Sequence, residues 1–273
     1  MKYLKTLLFI VLTSQFLNAQ SESPYEWKWK KDGIWTGTAI AGNALGVSII
    51  ANKEPFSIEE INQKIANRDN INFLDRWVAG NYSKNASDAS DIPFALSFAA
   101  PFALLLDDKA NDHSFQLFGL YFESLATTSA LFTITAGLTR RARPYVYNTT
   151  EKSLQSKQKV TATRSFYSGH VAATATATFF GAKVFQDFHP DSPIVPYVWA
   201  GAAALPAAVG YLRMEAGQHF LTDVLIGYAM GAVVGYWVPE LHKKKSSEFS
   251  LIPTMDQNFY GENYQAISLR YQF

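Results

Sequence analysis

Three short clusters hold the side chains of this chain that could do chemistry: Arg143-Pro144, then Ser168-Gly169-His170, then Arg213 followed by His219 and Asp223. All sit at the edges of otherwise apolar segments, where a charged or polar group costs free energy to desolvate unless it is paired or in use. Together they offer guanidinium groups for phosphate oxygens, a nucleophile, a general acid and an orienting carboxylate. Phosphoryl transfer needs that set.

Each cluster also has a plainer use. Basic residues after an apolar block, here Thr139-Arg140-Arg141-Ala142-Arg143-Pro144, compensate a helix dipole or anchor a membrane interface. Used functionally, Arg143 presents a guanidinium fork held rigid by the proline that follows. Ser168 is an ordinary helix N-cap, and a lone His170 is more often structural than catalytic. The same geometry turns unpaired backbone N–H groups toward an anion, with Gly169 permitting close approach and His170 able to donate a proton. His219 and Asp223 lie four residues apart on one helical face, so the carboxylate can hold one imidazole nitrogen and leave the other to attack. A surface His–Asp contact is the bland version of that pair, and metal ligation is a further option. The neighbouring arginines argue against a metal there, because they repel a cation.

The segments between the clusters must bring them together. From position 92 the chain runs in apolar helical blocks at 92–106, 115–138, 171–185, 194–212 and 220–238. Arg143 and Arg213 follow helix ends, whereas Ser168 and His219 precede helix starts, so an up-down bundle gathers all four at one end. Small residues dominate 172–177 and 201–204, which lets helices approach closely. Block length and sparse interior charge favour membrane insertion over a soluble bundle, although Glu123 and Pro206 interrupt two blocks. Upstream, 34–51 is apolar but contains Gly, Thr and Asn43. The stretch 53–91 is the most polar, with an amphipathic helical pattern at Ile58, Ile61 and Ile65 and a Ser/Asn/Asp-rich loop or cap at 83–91. The expected fold class is all-α, a membrane-embedded helical bundle, followed by a short strand-like tail where 266–273 alternates.

Composition narrows the function classes. With 24 basic and 23 acidic residues the net charge is +1, so nothing points to nucleic acid. The absence of cysteine excludes disulfides, thiolate metal sites and a cysteine nucleophile. Met1-Lys2-Tyr3-Leu4-Lys5, the short apolar run 6–12 and Leu17-Asn18-Ala19 have the pattern of a cleaved export signal, implying a bacterial cell envelope. Lys243-Lys244-Lys245 fits a cytoplasmic end. Expected divisions are a signal peptide at 1–19, a helical and loop region at 20–91, the bundle at 92–241 and a tail at 242–273. If the mature N-terminus and Arg143 both face outward, one and only one of 34–51 and 92–106 crosses the membrane.

The order and spacing of the clusters resemble the type 2 phosphatidic acid phosphatases, which share a fold with bacterial acid phosphatases and vanadium haloperoxidases. That family's pattern is Lys, six residues, Arg-Pro; then Pro-Ser-Gly-His; then Ser-Arg, five residues, His, three residues, Asp. Arg143-Pro144 matches the end of the first motif. Tyr167-Ser168-Gly169-His170 matches the second with Tyr167 for Pro, and Leu212-Arg213 with His219 and Asp223 matches the third with Leu212 for Ser. The resemblance covers 92–241.

By this resemblance His219 attacks phosphorus, Asp223 orients it, and His170 protonates the leaving oxygen and then helps to activate water. Arg143, Arg213, Ser168 and the Gly169 amide hold the phosphoryl oxygens. No metal and no other cofactor is implied. The motif lysine falls at Ala136, and Arg140, one turn later, is the expected substitute. The implied substrate is a phosphorylated lipid (phosphatidic acid, phosphatidylglycerol phosphate, undecaprenyl diphosphate or lipid A) or a small phosphate ester, met at the periplasmic face. The headgroup is expected to be read by the motif-free loop 145–164. Alternatives are a soluble periplasmic acid phosphatase of broad specificity, a vanadate-dependent haloperoxidase, which the short chain and missing lysine disfavour, and a degenerate non-catalytic member, for which Ala136 and Tyr167 speak. Nothing in the sequence bears on oligomeric state.

Overall fold

The computed structural model describes residues 22–150, 154–244, 249–257, 261 and 263–271, so the expected signal peptide lies outside the described residues. The chain divides into two compact units, Met1–His242 and Lys243–Phe273.

In the first unit α1 spans Trp29–Ala51, α2 Ile58–Ala66, α3 Lys84–Ala99, α4 Ser114–Leu138, α5 Gly169–Phe188, α6 Val195–Glu215 and α7 Leu221–Leu241. A 3-10 segment, Ala100–Leu106, prolongs α3. Among the described residues, five stretches are long and apolar enough to cross a membrane: Trp29–Ala51, Lys84–Leu106, Ser114–Leu138, Val195–Glu215 and Leu221–Leu241. They expose Ile34, Leu45, Ile92, Leu96, Phe118, Tyr197, Leu225 and Trp237. Apolar surface of that extent is unfavourable in water and suits lipid. The first unit is a membrane-type helical bundle.

α5 is built differently because other helices enclose it. Thr174, Thr176 and Thr178 are buried on it, and the Thr176 and Thr178 hydroxyls donate one turn back to Ala172 O at 2.9 Å and Thr174 O at 3.0 Å. Protein rather than lipid covers its surface, so hydroxyls are tolerated there. α7 meets α5 through a glycine stripe, Gly227, Gly231 and Gly235. A Cβ on Gly231 would stand 2.0 Å from the Ala172 carbonyl oxygen, so only glycine lets the two backbones come this close. α1 packs on α4 by the same device: a Cβ on Gly46 would lie 2.4 Å from Thr133 Oγ1. Asn43 adds a polar tie, its Oδ1 accepting from Ser129 Oγ at 2.8 Å and Thr133 Oγ1 at 3.1 Å.

Two expectations need correction. Of the loop or cap expected at 83–91, the cap holds and the loop does not. Ser83 caps α3, its hydroxyl accepting from Ala86 N at 3.2 Å, and the polar residues that follow stay helical because they sit at the solvent end, where Lys84 pairs with Asp88 at 2.6 Å. Starting at Lys84 rather than 92 makes this helix long enough to span, so 34–51 and 92–106 both lie in helices of spanning length. Lys53, just past α1, donates to Ala136 O at 2.8 Å and Thr139 O at 2.5 Å at the end of α4, whereas Asp32, at the start of α1, lies near Glu123. α1 and α4 therefore run parallel, and the chain enters α1 at the end of the bundle opposite Arg143.

The second unit is a two-stranded antiparallel hairpin, β1 Phe249–Gln257 against β2 Asn263–Tyr271, in register from Phe249↔Tyr271 to Gln257↔Asn263. Of the alternating segment, 266–271 falls in β2, and 272–273 lie outside the described residues. Its partner β1 carries Leu251-Ile252-Pro253, which breaks the alternation and hides the strand from a period-two reading.

Candidate active site

Four helix ends converge: the C-terminus of α4, the N-terminus of α5, the C-terminus of α6 and the N-terminus of α7. The loop after α4 is tied to the approach to α5 by backbone bonds, Arg143 N to Ala162 O at 3.0 Å and Ser165 N to Arg141 O at 3.0 Å. Ser168 N in turn donates to Asp223 O at 3.0 Å, joining the starts of α5 and α7.

His219 is buried, and its Nδ1 lies 2.6 Å from the Ser165 carbonyl oxygen. A carbonyl only accepts, so Nδ1 carries the proton and Nε2 keeps its lone pair. Burial, reinforced by the Arg143 and Arg213 charges, holds this imidazole well below its ordinary pKa. It is neutral at neutral pH, the form a nucleophile requires.

The expected direct contact between Asp223 and His219 is replaced by an indirect one. Asp223 accepts from Phe220 N at 2.9 Å, capping its own helix, from Ser165 Oγ at 2.5 Å, and from Arg141 Nη1. As the third residue of α7 it reaches back to the backbone N–H of the N-cap residue, Phe220. It holds Ser165, and the carbonyl of Ser165 holds the imidazole. Arg141 also pairs with buried Asp75 at 2.6 Å, which accepts from Thr222 N at 3.0 Å and Thr222 Oγ1 at 2.7 Å. Burial would raise the Asp75 carboxyl, but hydrogen bonds from Thr222, Asn72 and Arg141 outweigh it and hold the group below the usual carboxylate range.

A cavity of about 510 Å³ opens at these ends, lined among others by Arg143, Arg164, Gly169, His170 and His219. Its remaining wall is largely apolar, with Phe94, Phe98, Leu125, Phe132 and Ala173. A Cβ on Gly169 would stand 2.7 Å from the Phe132 ring, so glycine keeps the start of α5 against this wall. His170 packs on Phe94 at 4.2 Å between centroids, with Nε2 3.5 Å from Asp91 Oδ1. Arg143 donates to Gln218 Oε1 and through Nε to Arg164 O at 3.4 Å. Burial lowers its pKa from the usual guanidinium value. Ser168 and Arg213 flank the cavity. Arg213 Nη1 donates to Ser90 Oγ at 3.2 Å and lies 3.9 Å from Asp91 Oδ1.

Arg140 is not brought to this cluster. It forms a two-pronged pair with Glu60, the second contact at 3.0 Å, donates to Pro55 O at 3.1 Å and lies over the Phe56 ring at 4.5 Å. The chain is already turning away from α4 at Thr139, whose φ and ψ are −91° and 140°. The helical one-turn relation to Ala136 therefore fails for Arg140. Arg164 is the additional guanidinium at the cavity.

Residues 117–247 match the PAP2 superfamily. This stretch is PAP2-like. Its match takes in His170, Arg213, His219 and Asp223 together with Arg143. A lipid A 4'-phosphatase of Porphyromonas gingivalis is 30% identical over 77 residues, 28% of this chain and 29% of that relative. The chain thus matches under a third of that relative's length. No solved structure matches the chain.

Sequence reasoning missed several neighbours of the site: Arg141, Arg164, Asp75, Ser165 and Gln218. Arg141 and Arg164 were visible as basic residues beside the motifs, and Arg164 closes the loop expected to read the headgroup. Asp75 gave no signal, because it lies in a polar stretch far from every motif.

Proposed function

We propose that this protein is a membrane-embedded phosphatase that hydrolyses a phosphate monoester or diphosphate on a lipid through a phosphohistidine. The observation that carries this reading is the two-sided cavity: guanidinium and imidazole groups at one end, aromatic and aliphatic walls along the rest. A phosphate headgroup and its attached acyl region need both surfaces at once. Among the described residues, Arg164 Nε, Ser168 Oγ and Arg213 Nε are buried without a hydrogen-bond partner. All three belong to residues lining or flanking the cavity, and phosphoryl oxygens would satisfy them.

His219 Nε2 attacks phosphorus in line with the ester oxygen. Burial and Arg213 lower the His170 pKa to about 4, so the substrate enters as its monoprotonated phosphate and hands that proton to His170. As the P–O bond breaks, His170 passes it to the leaving oxygen, and Arg143, Arg164 and Arg213 balance the charge spread over the phosphoryl oxygens. Water then attacks the phosphohistidine, passing a proton to His170 and releasing phosphate and neutral His219. The Ser165 carbonyl keeps the Nδ1–H in place and favours the charged intermediate, and Asp223 acts through Ser165. These residues make a metal unnecessary for charge balance.

The lipid A 4'-phosphatase relative and the apolar wall make a phosphorylated lipid of the envelope the first substrate class to test, with the site facing the periplasm. Purified protein in detergent should release phosphate from lipid A, phosphatidic acid, phosphatidylglycerol phosphate or undecaprenyl diphosphate faster than from a soluble ester. Radiolabelled phosphate from the preferred substrate should be trapped on the wild type as an acid-labile adduct and not on His219→Gln. An active wild type with no such adduct overturns the mechanism, and inactivity on every ester favours a non-catalytic member.

A further inference from the structure

Six buried side-chain polar atoms lack a hydrogen-bond partner among the described residues. Three belong to the site above, Arg164, Ser168 and Arg213, and a fourth is Tyr167, just before Ser168 in the chain. The other two, Trp27 Nε1 and His242 Nε2, lie together at the opposite end of the bundle, where α1 begins and α7 ends. Trp27 stacks on the His242 ring, centroids 6.1 Å apart and planes 18° from parallel.

His242 Nε2 points between two buried carboxylates, 3.2 Å from Asp32 Oδ1 and 3.7 Å from Glu123 Oε1. Ligand atoms of these three residues all lie within 4.8 Å of one another. The second nitrogen, Nδ1, sits 2.7 Å from the Val238 carbonyl oxygen, which can only accept. Nδ1 therefore carries a proton, and Nε2 faces the carboxylates without hydrogen-bond geometry toward either. Both carboxylates are themselves held in place: Asp32 Oδ2 accepts from Lys28 N at 2.6 Å and Glu123 Oε2 from Thr36 Oγ1 at 3.4 Å.

We propose that Asp32, Glu123 and His242 form a binding site for a divalent transition-metal cation, remote from the phosphate cavity. Two carboxylates at 2% exposure are costly without compensating charge, and a dication supplies it for both. With metal–ligand bonds of about 2.0–2.2 Å, tetrahedral ligand atoms stand about 3.4 Å apart, and the 3.2 and 3.7 Å separations bracket that edge. An imidazole whose other nitrogen donates to a carbonyl is the usual arrangement for a metal-bound histidine. Residues from α1, α4 and the end of α7 supply one ligand each, so the cation ties the end of α7 to the α1–α4 pair, which Asn43 and Thr36 already join by hydrogen bonds. Glu123, which interrupts the apolar run of α4, thereby acquires a use.

The test uses full-length protein in detergent, stripped with a chelator and then titrated with Zn²⁺ and Co²⁺. The wild type should take up one equivalent of Zn²⁺ reversibly, with a rise in unfolding temperature, and Co²⁺ should give ligand-field bands that Zn²⁺ displaces. Asp32→Asn and His242→Gln should weaken binding at least tenfold, while His170→Gln should not. Should both site variants fail to fold, X-ray absorption of the wild-type Zn²⁺ complex still decides, with one imidazole and oxygen ligands expected. No stoichiometric binding, loss of binding in His170→Gln, or two or more imidazoles on the metal would each overturn the proposal. The first outcome would leave the three groups as a buried hydrogen-bonding cluster only.

Discussion

Replacing Arg164 and Arg140 one at a time separates the two candidates for the cation missing at Ala136. Arg164 lines the cavity, and among the described residues its buried Nε has no protein partner, so that N–H is open to a phosphoryl oxygen. Its backbone is bridged to Arg141 and its carbonyl accepts from Arg143, contacts that survive truncation to alanine. Removing one donor to a transition-state phosphoryl oxygen costs about 3–4 kcal/mol, or about 10²–10³ in kcat. Arg164→Ala should fall in that range with little change in unfolding temperature. Arg140 instead spends its guanidinium on Glu60, with side-chain exposures of 42% and 37%, where solvent screens the pair. Arg140→Ala should leave kcat/KM within about threefold of the wild type. Phosphate release from a lipid substrate in mixed micelles, measured over a range of surface concentrations, reads both variants. A near-normal Arg164→Ala, or an Arg140→Ala as impaired as Arg164→Ala, would refute the assignment.

Further outcomes follow from the packing and electrostatics. Gly231→Val should lose both stability, by about 3 kcal/mol or more, and activity, because its side chain meets the Ala172 carbonyl and forces α7 off α5; Gly201→Ala, with nothing within 4 Å, is the control and should not destabilise. A stable, active Gly231→Val would show that the helices are not held by this contact. His219 also makes stability pH-dependent. Its folded pKa is depressed below 6.5, so on acidification the unfolded chain gains a proton that the folded one refuses. Its contribution is full above pH 6.5 and shrinks below it by up to about 1.4 kcal/mol per pH unit. Thermal unfolding between pH 7.5 and 5 should therefore show a shallower slope in His219→Gln, and equal slopes would contradict a neutral buried imidazole. Asp75→Asn should cost about 2 kcal/mol of stability and lower kcat more than it raises KM, since Asp75 positions Arg141 and Thr222 without facing the cavity; a change confined to KM would speak against that role.

The sequence by itself determined the helical blocks, the end of the bundle at which the motifs meet, and the identity of most groups there. Apolar runs of spanning length and residues at one-turn spacing are local properties, and local properties can be read without a fold. His219, His170, Arg143 and Gly169 line one cavity for that reason. Other points depended on contacts that cross the chain. Asp223 could reach His219 by helical spacing, but the Ser165 carbonyl, 54 positions away, takes the imidazole, and Asp223 is divided between Phe220, Ser165 and Arg141. Arg140 was one turn from Ala136 only as long as the helix continued, and the backbone leaves the helix at Thr139, handing Arg140 to Glu60 and leaving the cavity to Arg164. The helix starting at Lys84 was concealed because solvent at its end removes the penalty on polar residues. Asp32, Glu123 and His242 are separated by 91 and 119 positions (123 − 32 and 242 − 123), and no periodicity links them. Only the parallel run of α1 and α4 and the return of α7 bring the three to one point. Spacing along one helix is set by the backbone, whereas the partner of a buried charge is set by whichever element packs against it.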